Sequence, residues 1–182
     1  MRAHRVVMTG LLVAVAFLLM ATVQIPILPQ APFLKYDPSD AAALVGGVLY
    51  GPGTGLLVVL LKDVLFLLFR ARGPFGPLAD FIAAGTFVAV TAWAYRRMGG
   101  AFPWRLLSAA VVGMVARVLV MIPANFVILY LEFGMPPARV AGMLLPAIVP
   151  FNAVKAALNA LLALAVAEPL GRYLPVPELP GR

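Results

Sequence analysis

The stretch SDAAALVGGVLYGPGTGLLVVLLKDVLFLLF, residues 39–69, decides how this chain folds. As one continuous helix its 31 residues would reach about 46 Å, well beyond the ~30 Å hydrocarbon core of a bilayer. Tyr50-Gly51-Pro52-Gly53-Thr54-Gly55 interrupts it in the middle. Charge placement chooses between one tilted span and two short ones. Two spans put Arg2, Arg5, Arg96, Arg97, Arg105, Arg172 and Arg182 on the inner side against Lys35, Arg70, Arg72 and Arg139 outside, whereas one span gives five inside and six outside. Cytoplasmic loops carry the excess of Lys and Arg, so the split is preferred. The expectation is an all-α integral membrane bundle of six transmembrane helices with both termini cytoplasmic.

The rest of the chain agrees with a life in lipid. Of 182 residues 63% are apolar and 12% charged, and the mean hydropathy is +1.01. Soluble domains carry about 25% charge, so this chain has too little polar surface to cover itself in water. The apolar runs are continuous, which means helices and not the alternating strands of a barrel. The length allows a single domain, residues 1–182, with no separate soluble catalytic or nucleotide-binding unit. The net charge of +7 is dispersed at the ends of apolar runs, the distribution of topology determinants and not of a nucleic-acid site. With no cysteine and a single histidine, His4, a thiol nucleophile, a disulfide or a His-based metal site is excluded.

The first run, Val6 to Val23, suits a span better than a signal peptide cut near Ala21-Thr22-Val23. Gly10 and Ala14 form a small-xxx-small pair, extended by Ala16 and Ala21, of the kind that lets a second helix approach closely. The outer loop, residues 24–38, holds four prolines yet is apolar and aromatic, as a lid over a pocket would be. Ser39 reads as an N-cap with Asp40 in the first turn. Gly51-x-Gly53-x-Gly55 lacks the strand and the Lys-Ser/Thr ending of a phosphate loop, so it reads as a tight cytoplasmic turn. The fourth helix is expected from about Pro77 to Tyr95, the fifth from about Trp104 to Leu131, and the sixth from about Val140 to Leu170. No internal repeat is visible.

Ionisable residues inside a bilayer are costly and need a partner or a function. Here they are Lys62, Asp63, Arg117 and Lys155. Asn152, Lys155 and Asn159 share one face of the sixth helix, and Pro146 and Pro150 free backbone carbonyls nearby. Two amides and an ammonium suit a planar, heteroatom-rich ligand, or a hydrogen-bond network that only locks the bundle. On the fifth helix Met114, Arg117, Met121 and Asn125 share a face. Asn125 belongs in the outer half; Arg117, deeper, reads as a structural salt bridge. Lys62 and Asp63, being adjacent, read as packing or partner-facing groups. Asp80 reads as a dipole-favoured residue at the start of the fourth helix, with a ligand contact as the alternative. Polar groups gathered in the outer half under a loop describe a capped small-molecule pocket. They describe neither a channel nor an enzyme site.

Phe33-Leu34-Lys35-Tyr36-Asp37-Pro38-Ser39-Asp40, Leu49-Tyr50-Gly51-Pro52 and Pro150-Phe151-Asn152-x-x-Lys155 resemble the substrate-binding S subunit of energy-coupling factor (ECF) vitamin transporters, most of all its riboflavin-specific branch. The resemblance spans nearly the whole chain. It implies a riboflavin-binding S component with no cofactor of its own, in a prokaryotic plasma membrane. Its partners would be a transmembrane coupling subunit and two cytoplasmic ATPase subunits that hydrolyse the ATP. It also implies that Asn152 and Lys155 hydrogen-bond the isoalloxazine ring, that Asn125 matches a fifth-helix asparagine, and that Leu34 and Tyr36 cover the ligand. Gly10 and Ala14 would form the docking face. Where Asp80 stands the branch leads one to expect an asparagine-type residue; a buried carboxylate there would repel a phosphate and favour the uncharged vitamin. Flavin phosphate, pantothenate, folate or a purine-like vitamin is the alternative ligand, and a membrane scaffold without a ligand is the alternative function.

Overall fold

The computed structural model describes residues 2–173; Arg182 and the Arg172 side chain, both counted in the charge argument, lie outside what is described. The order is α1 (Arg2–Thr22), β1 (Ile25–Pro26), β2 (Lys35–Tyr36), α2 (Ser39–Tyr50), α3 (Pro52–Phe69), α4 (Phe75–Arg97), α5 (Phe102–Phe133), α6 (Pro137–Met143), a π-helical turn (Leu144–Ile148) and α7 (Val149–Tyr173). The architecture is all-helical apart from the two short strands. These pair antiparallel, Ile25 with Tyr36 and Pro26 with Lys35, and fold the outer loop into a tight flap. Five helices are long and apolar enough to cross a membrane: Ala3–Thr22, Pro52–Phe69, Phe75–Arg97, Phe102–Phe133 and the composite Pro137–Pro169.

The split at Gly51 is as expected, but its two halves are unequal. Gly51 has φ 105°, a left-handed conformation glycine adopts without a Cβ penalty, and Pro52 opens α3 at its first turn, where a missing N–H costs nothing. α2, with 12 residues, is only about 18 Å long. All twelve of its residues are buried, so it is a core helix enclosed by α1, α3, α4 and α7 and not a lipid-facing span. Small residues make that enclosure possible. A Cβ on Gly47 would lie 3.1 Å from the Ala92 Cβ, and one on Gly55 would lie 2.5 Å from Val88 Cγ1 and 2.9 Å from the Gly47 Cα. The Gly-rich turn is thus also a packing device.

α4 and α5 form the most extensive helix pair, closest at Gly113, where a Cβ would overlap Thr91 Oγ1 and stand 2.8 Å from the Phe87 carbonyl oxygen. Overpacking of this kind costs about 1–3 kcal/mol. Gly113→Ala is therefore expected to lower the detergent-solubilised melting temperature while leaving the cavity residues unchanged, as a thermal-shift assay would show. An unshifted melting temperature would mean that α4 and α5 separate without cost.

Along α1, Leu12, Val13, Ala16 and Met20 face the core. Ala16 therefore does not extend the smooth outer surface with Gly10 and Ala14; those two are exposed on the outward face. The last span is not one regular helix. Pro146 and Pro150 deform it, and the π turn between Met143 and Val149 absorbs the change.

Candidate functional site

At one end of the bundle the flap, α1, α4, α5 and α7 enclose a cavity of about 310 Å³, at the lower end of the size range of small-molecule sites. Its walls are apolar: Phe33 and Leu34 from the flap, Met121, Ile128 and Leu129 from α5, and Phe151 from α7. Polar groups are few and concentrated: Asp80 from α4, Arg117 and Asn125 from α5, and Asn152 and Lys155 from α7. Gln24, Lys35, Asp37 and Glu132 complete the polar lining.

The buried polar side chains of α4, α5 and α7 are each held by a named partner. Lys155 Nζ donates to Asp37 Oδ2 at 2.7 Å and to Asp80 Oδ1 at 2.8 Å, which leaves one of its three hydrogens for the cavity. Asn152 Nδ2 donates to the Ile148 carbonyl at 2.9 Å, and its Oδ1 accepts from Arg117 Nε at 3.0 Å. Asn125 Nδ2 donates to the Met121 carbonyl at 2.7 Å; its Oδ1 has no hydrogen bond among the described residues. The cavity therefore presents an ammonium and an amide donor on α7 and an amide acceptor on α5.

Behind this lining lies an ionic network. Arg117 Nη1 pairs with Asp40 Oδ2 at 2.9 Å. Lys62 Nζ, fully buried, touches Asp80 Oδ2 and lies 3.3 Å from Asp63 and 3.5 Å from Asp40. Lys62 and Asp63 are thus neither plain packing groups nor partner-facing: the long lysine stem folds back so that both heads meet. The Arg117 salt bridge expected from sequence is present, and its partner is Asp40.

Asp80 is corrected in two respects. α4 starts at Phe75 after Pro74, two residues earlier than expected, so Asp80 stands beyond the first turn and does not serve the helix end. It is also paired with both Lys62 and Lys155, so its charge is already compensated and supplies no argument against a phosphate. Ser39 does not cap α2 either. Pro38 holds the N-cap position without a side-chain bond, and the Ser39 N–H (3.1 Å) and hydroxyl both donate to Asp37 Oδ1. The cap comes from α7: Asn159 Oδ1 accepts the Ala41 N–H at 3.0 Å, while its Nδ2 donates to the Asp37 carbonyl at 3.2 Å. Asn159, on the same face as Asn152 and Lys155, is fully buried and serves the fold.

In the flap, Leu34 lines the cavity and Tyr36, paired with Ile25, does not. Asp37 is buried, which opposes its ionisation, but Lys155 more than offsets this and holds the carboxyl below the usual carboxylate range. Gln30 Nε2 donates to the Pro146 carbonyl at 3.3 Å, in the segment where Pro150 has no N–H to return to the preceding turn. Asp37 and Asp40 do not stand out in the sequence as site residues, because an acid near a helix start looks self-sufficient. The available signal was the excess of buried cations, Lys62, Arg117 and Lys155, which required acids from elsewhere in the chain.

A bundle of apolar helices with an enclosed, sparsely polar cavity beneath a flap defines a class: a multi-pass membrane protein with a small-molecule site. The family described as "ECF transporter, substrate-specific component" matches residues 4–167. The chain belongs to that family, a transporter's substrate-binding component and not an enzyme. Similar proteins include the riboflavin transporter RibU of Staphylococcus aureus (strain TCH60), 28% identical over 177 residues, with 93% of this chain and 92% of the relative covered. The riboflavin transporter FmnP of Bacillus subtilis (strain 168) is 31% identical over 166 residues, 85% of each chain. Among solved structures, one described as "Structure and mechanism of the S component of a bacterial ECF transporter" superposes with a TM-score of 0.83 at 26% identity, covering 96% of this chain and 99% of that one.

Proposed function

We propose that this chain is the high-affinity riboflavin-binding S component of an ATP-driven ECF importer in a prokaryotic plasma membrane. The observation that carries the reading is the hydrogen-bond polarity of the cavity. A free acceptor on Asn125 and free donors on Asn152 and Lys155 line one apolar slot with Phe33 and Phe151. A flat ring system whose polar edge alternates carbonyl acceptors with an N–H donor satisfies both kinds of group, and its apolar remainder takes the aromatic walls. The relatives named as riboflavin transporters support the same ligand.

In this reading Leu34, Asp80, Asn125, Asn152 and Lys155 form the binding site. Tyr36 serves through the flap, and residues 24–38 act as the lid of a single domain spanning residues 1–182. Both termini face the cytoplasm, where two ATPase subunits act through a membrane coupling subunit. The exposed Gly10 and Ala14 on α1 form the docking face for that subunit, because small residues let another helix approach. In this reading those ATPase subunits bind the nucleotide. Gly10→Leu is expected to leave riboflavin affinity unchanged and to reduce uptake in cells carrying the complete transporter; loss of binding in the purified variant would contradict the docking assignment.

The function is tested by the visible absorption spectrum of protein purified in detergent from cells grown with riboflavin. A yellow preparation, with flavin released on denaturation near one per chain, is the expected result. A colourless preparation that also fails to quench the fluorescence of added riboflavin would overturn the flavin reading.

A further inference from the structure

Among the described residues Arg117 is the buried cation of the cavity with most of its hydrogen-bonding capacity unspent. Its guanidinium carries five N–H donors in a rigid fork. Nε is committed to Asn152 Oδ1 at 3.0 Å and Nη1 to Asp40 Oδ2 at 2.9 Å. Nη2 has no partner among the described residues. The side chain is 1% exposed and lines the cavity, so Nη2 opens onto that cavity and not onto the outer surface. A charged donor facing an apolar-walled cavity gains most from an acceptor that the ligand brings. The same fork has a second consequence. By donating to Asn152 Oδ1 it decides which way that amide faces: Oδ1 is turned toward Arg117 and Nδ2 toward Ile148.

We propose that Arg117 is a specificity-determining ligand contact, donating Nη2–H to a ring carbonyl of the bound molecule while its Nε locks the Asn152 amide in the donor-presenting orientation. Arg117 is thus more than the structural half of a salt bridge. Asp40, at the first turn of the enclosed helix α2, holds the guanidinium in place from behind, so the fork is pre-organised and little side-chain freedom is lost on binding. A positively charged donor at a ring carbonyl selects ligands with an electron-rich oxygen on their planar edge. It disfavours analogues in which that oxygen is replaced by sulfur or hydrogen. Such a requirement distinguishes a flavin from a flat apolar ring of the same size.

This inference rests on the riboflavin reading, and its test separates the two. Riboflavin labelled with carbon-13 at its ring carbonyls is bound to wild type and to Arg117→Lys in detergent, with affinity taken from fluorescence quenching and carbonyl frequencies from difference infrared spectra. Lysine keeps the charge facing Asp40 but cannot supply the planar fork. The expected result is an affinity about ten- to a hundredfold lower, and a carbonyl band that lies at lower frequency in wild type than in the variant. If Arg117→Lys fails to fold, the double variant Arg117→Met/Asp40→Asn, which leaves neither charge single in the bundle, is read by the same two measurements. A folded variant that binds within threefold of wild type with unmoved carbonyl bands would overturn the proposal. Wild-type protein that binds no riboflavin would overturn the functional reading and this proposal with it.

Discussion

Lys62→Met is expected to cost about 3–5 kcal/mol of stability, the cost of breaking a buried ion pair from one side. Lys62 is fully buried and is the only cation within ion-pair distance of Asp63 among the described residues. It also reaches Asp40 and Asp80, and so ties α2, α3 and α4 at one point. Removing the ammonium leaves the buried Asp63 carboxylate without a cation among the described residues, and its Oδ2 already lacks a hydrogen-bond partner. For a chain of this size the loss corresponds to about 10 °C or more in melting temperature. Thermal unfolding followed by size-exclusion chromatography in detergent would show it. Adding Asp63→Asn, which removes the carboxylate left most isolated, is expected to recover part of the loss. Equal melting of Lys62→Met and wild type would mean that the acids are neutral and need no counterion.

Lys155→Met is expected to weaken riboflavin binding by a hundredfold or more, because two consequences fall on the same event. The ammonium anchors the flap through Asp37 at 2.7 Å and orders Asp80 at 2.8 Å. In the proposed complex its remaining hydrogen serves the ligand. Breaking a buried pair from one side costs about 3–5 kcal/mol, whereas removing the uncharged Asn152 amide, as in Asn152→Ala, costs about 1–3 kcal/mol. A fluorescence-quenching titration should therefore rank Lys155→Met below Asn152→Ala. Partial recovery is expected when Asp37→Asn is combined with Lys155→Met, since the flap then no longer carries an uncompensated charge. An affinity for Lys155→Met within threefold of wild type would show that neither the flap anchor nor the ligand contact matters.

The parts of the site that were legible in advance are those governed by periodicity along one helix. Asn152 and Lys155 lie three residues apart, and Arg117 and Asn125 share a face of α5; all four reach the cavity. The break at Gly51-Pro52 was legible because glycine and proline constrain the backbone locally. What was not legible depends on partners far away in the chain. Asp37 and Lys155 are separated by 118 positions, and Asp40 and Arg117 by 77. No spacing rule relates such pairs. Asn159 fits the stripe of Asn152 and Lys155 in sequence, yet its depth places it against the first turn of α2 and not against the cavity. Asp80 lies so close to the expected helix start that a two-residue difference in the boundary decides whether it meets the helix dipole or two lysines.

Residue order alone places this chain in a membrane, marks where its backbone breaks, and assigns polar groups to particular helical faces. These are properties of composition and of local geometry, which hold whatever the helices pack against. Packing across the bundle sets the rest: α2 is enclosed and not lipid-facing, Lys62 balances three carboxylates, and Arg117 is shared between Asp40, Asn152 and the cavity. A buried charge must find its counter-charge across the bundle, because in the absence of water no local group can replace it. Which residues meet there is set by how closely Gly47, Gly55 and Gly113 let the helices approach.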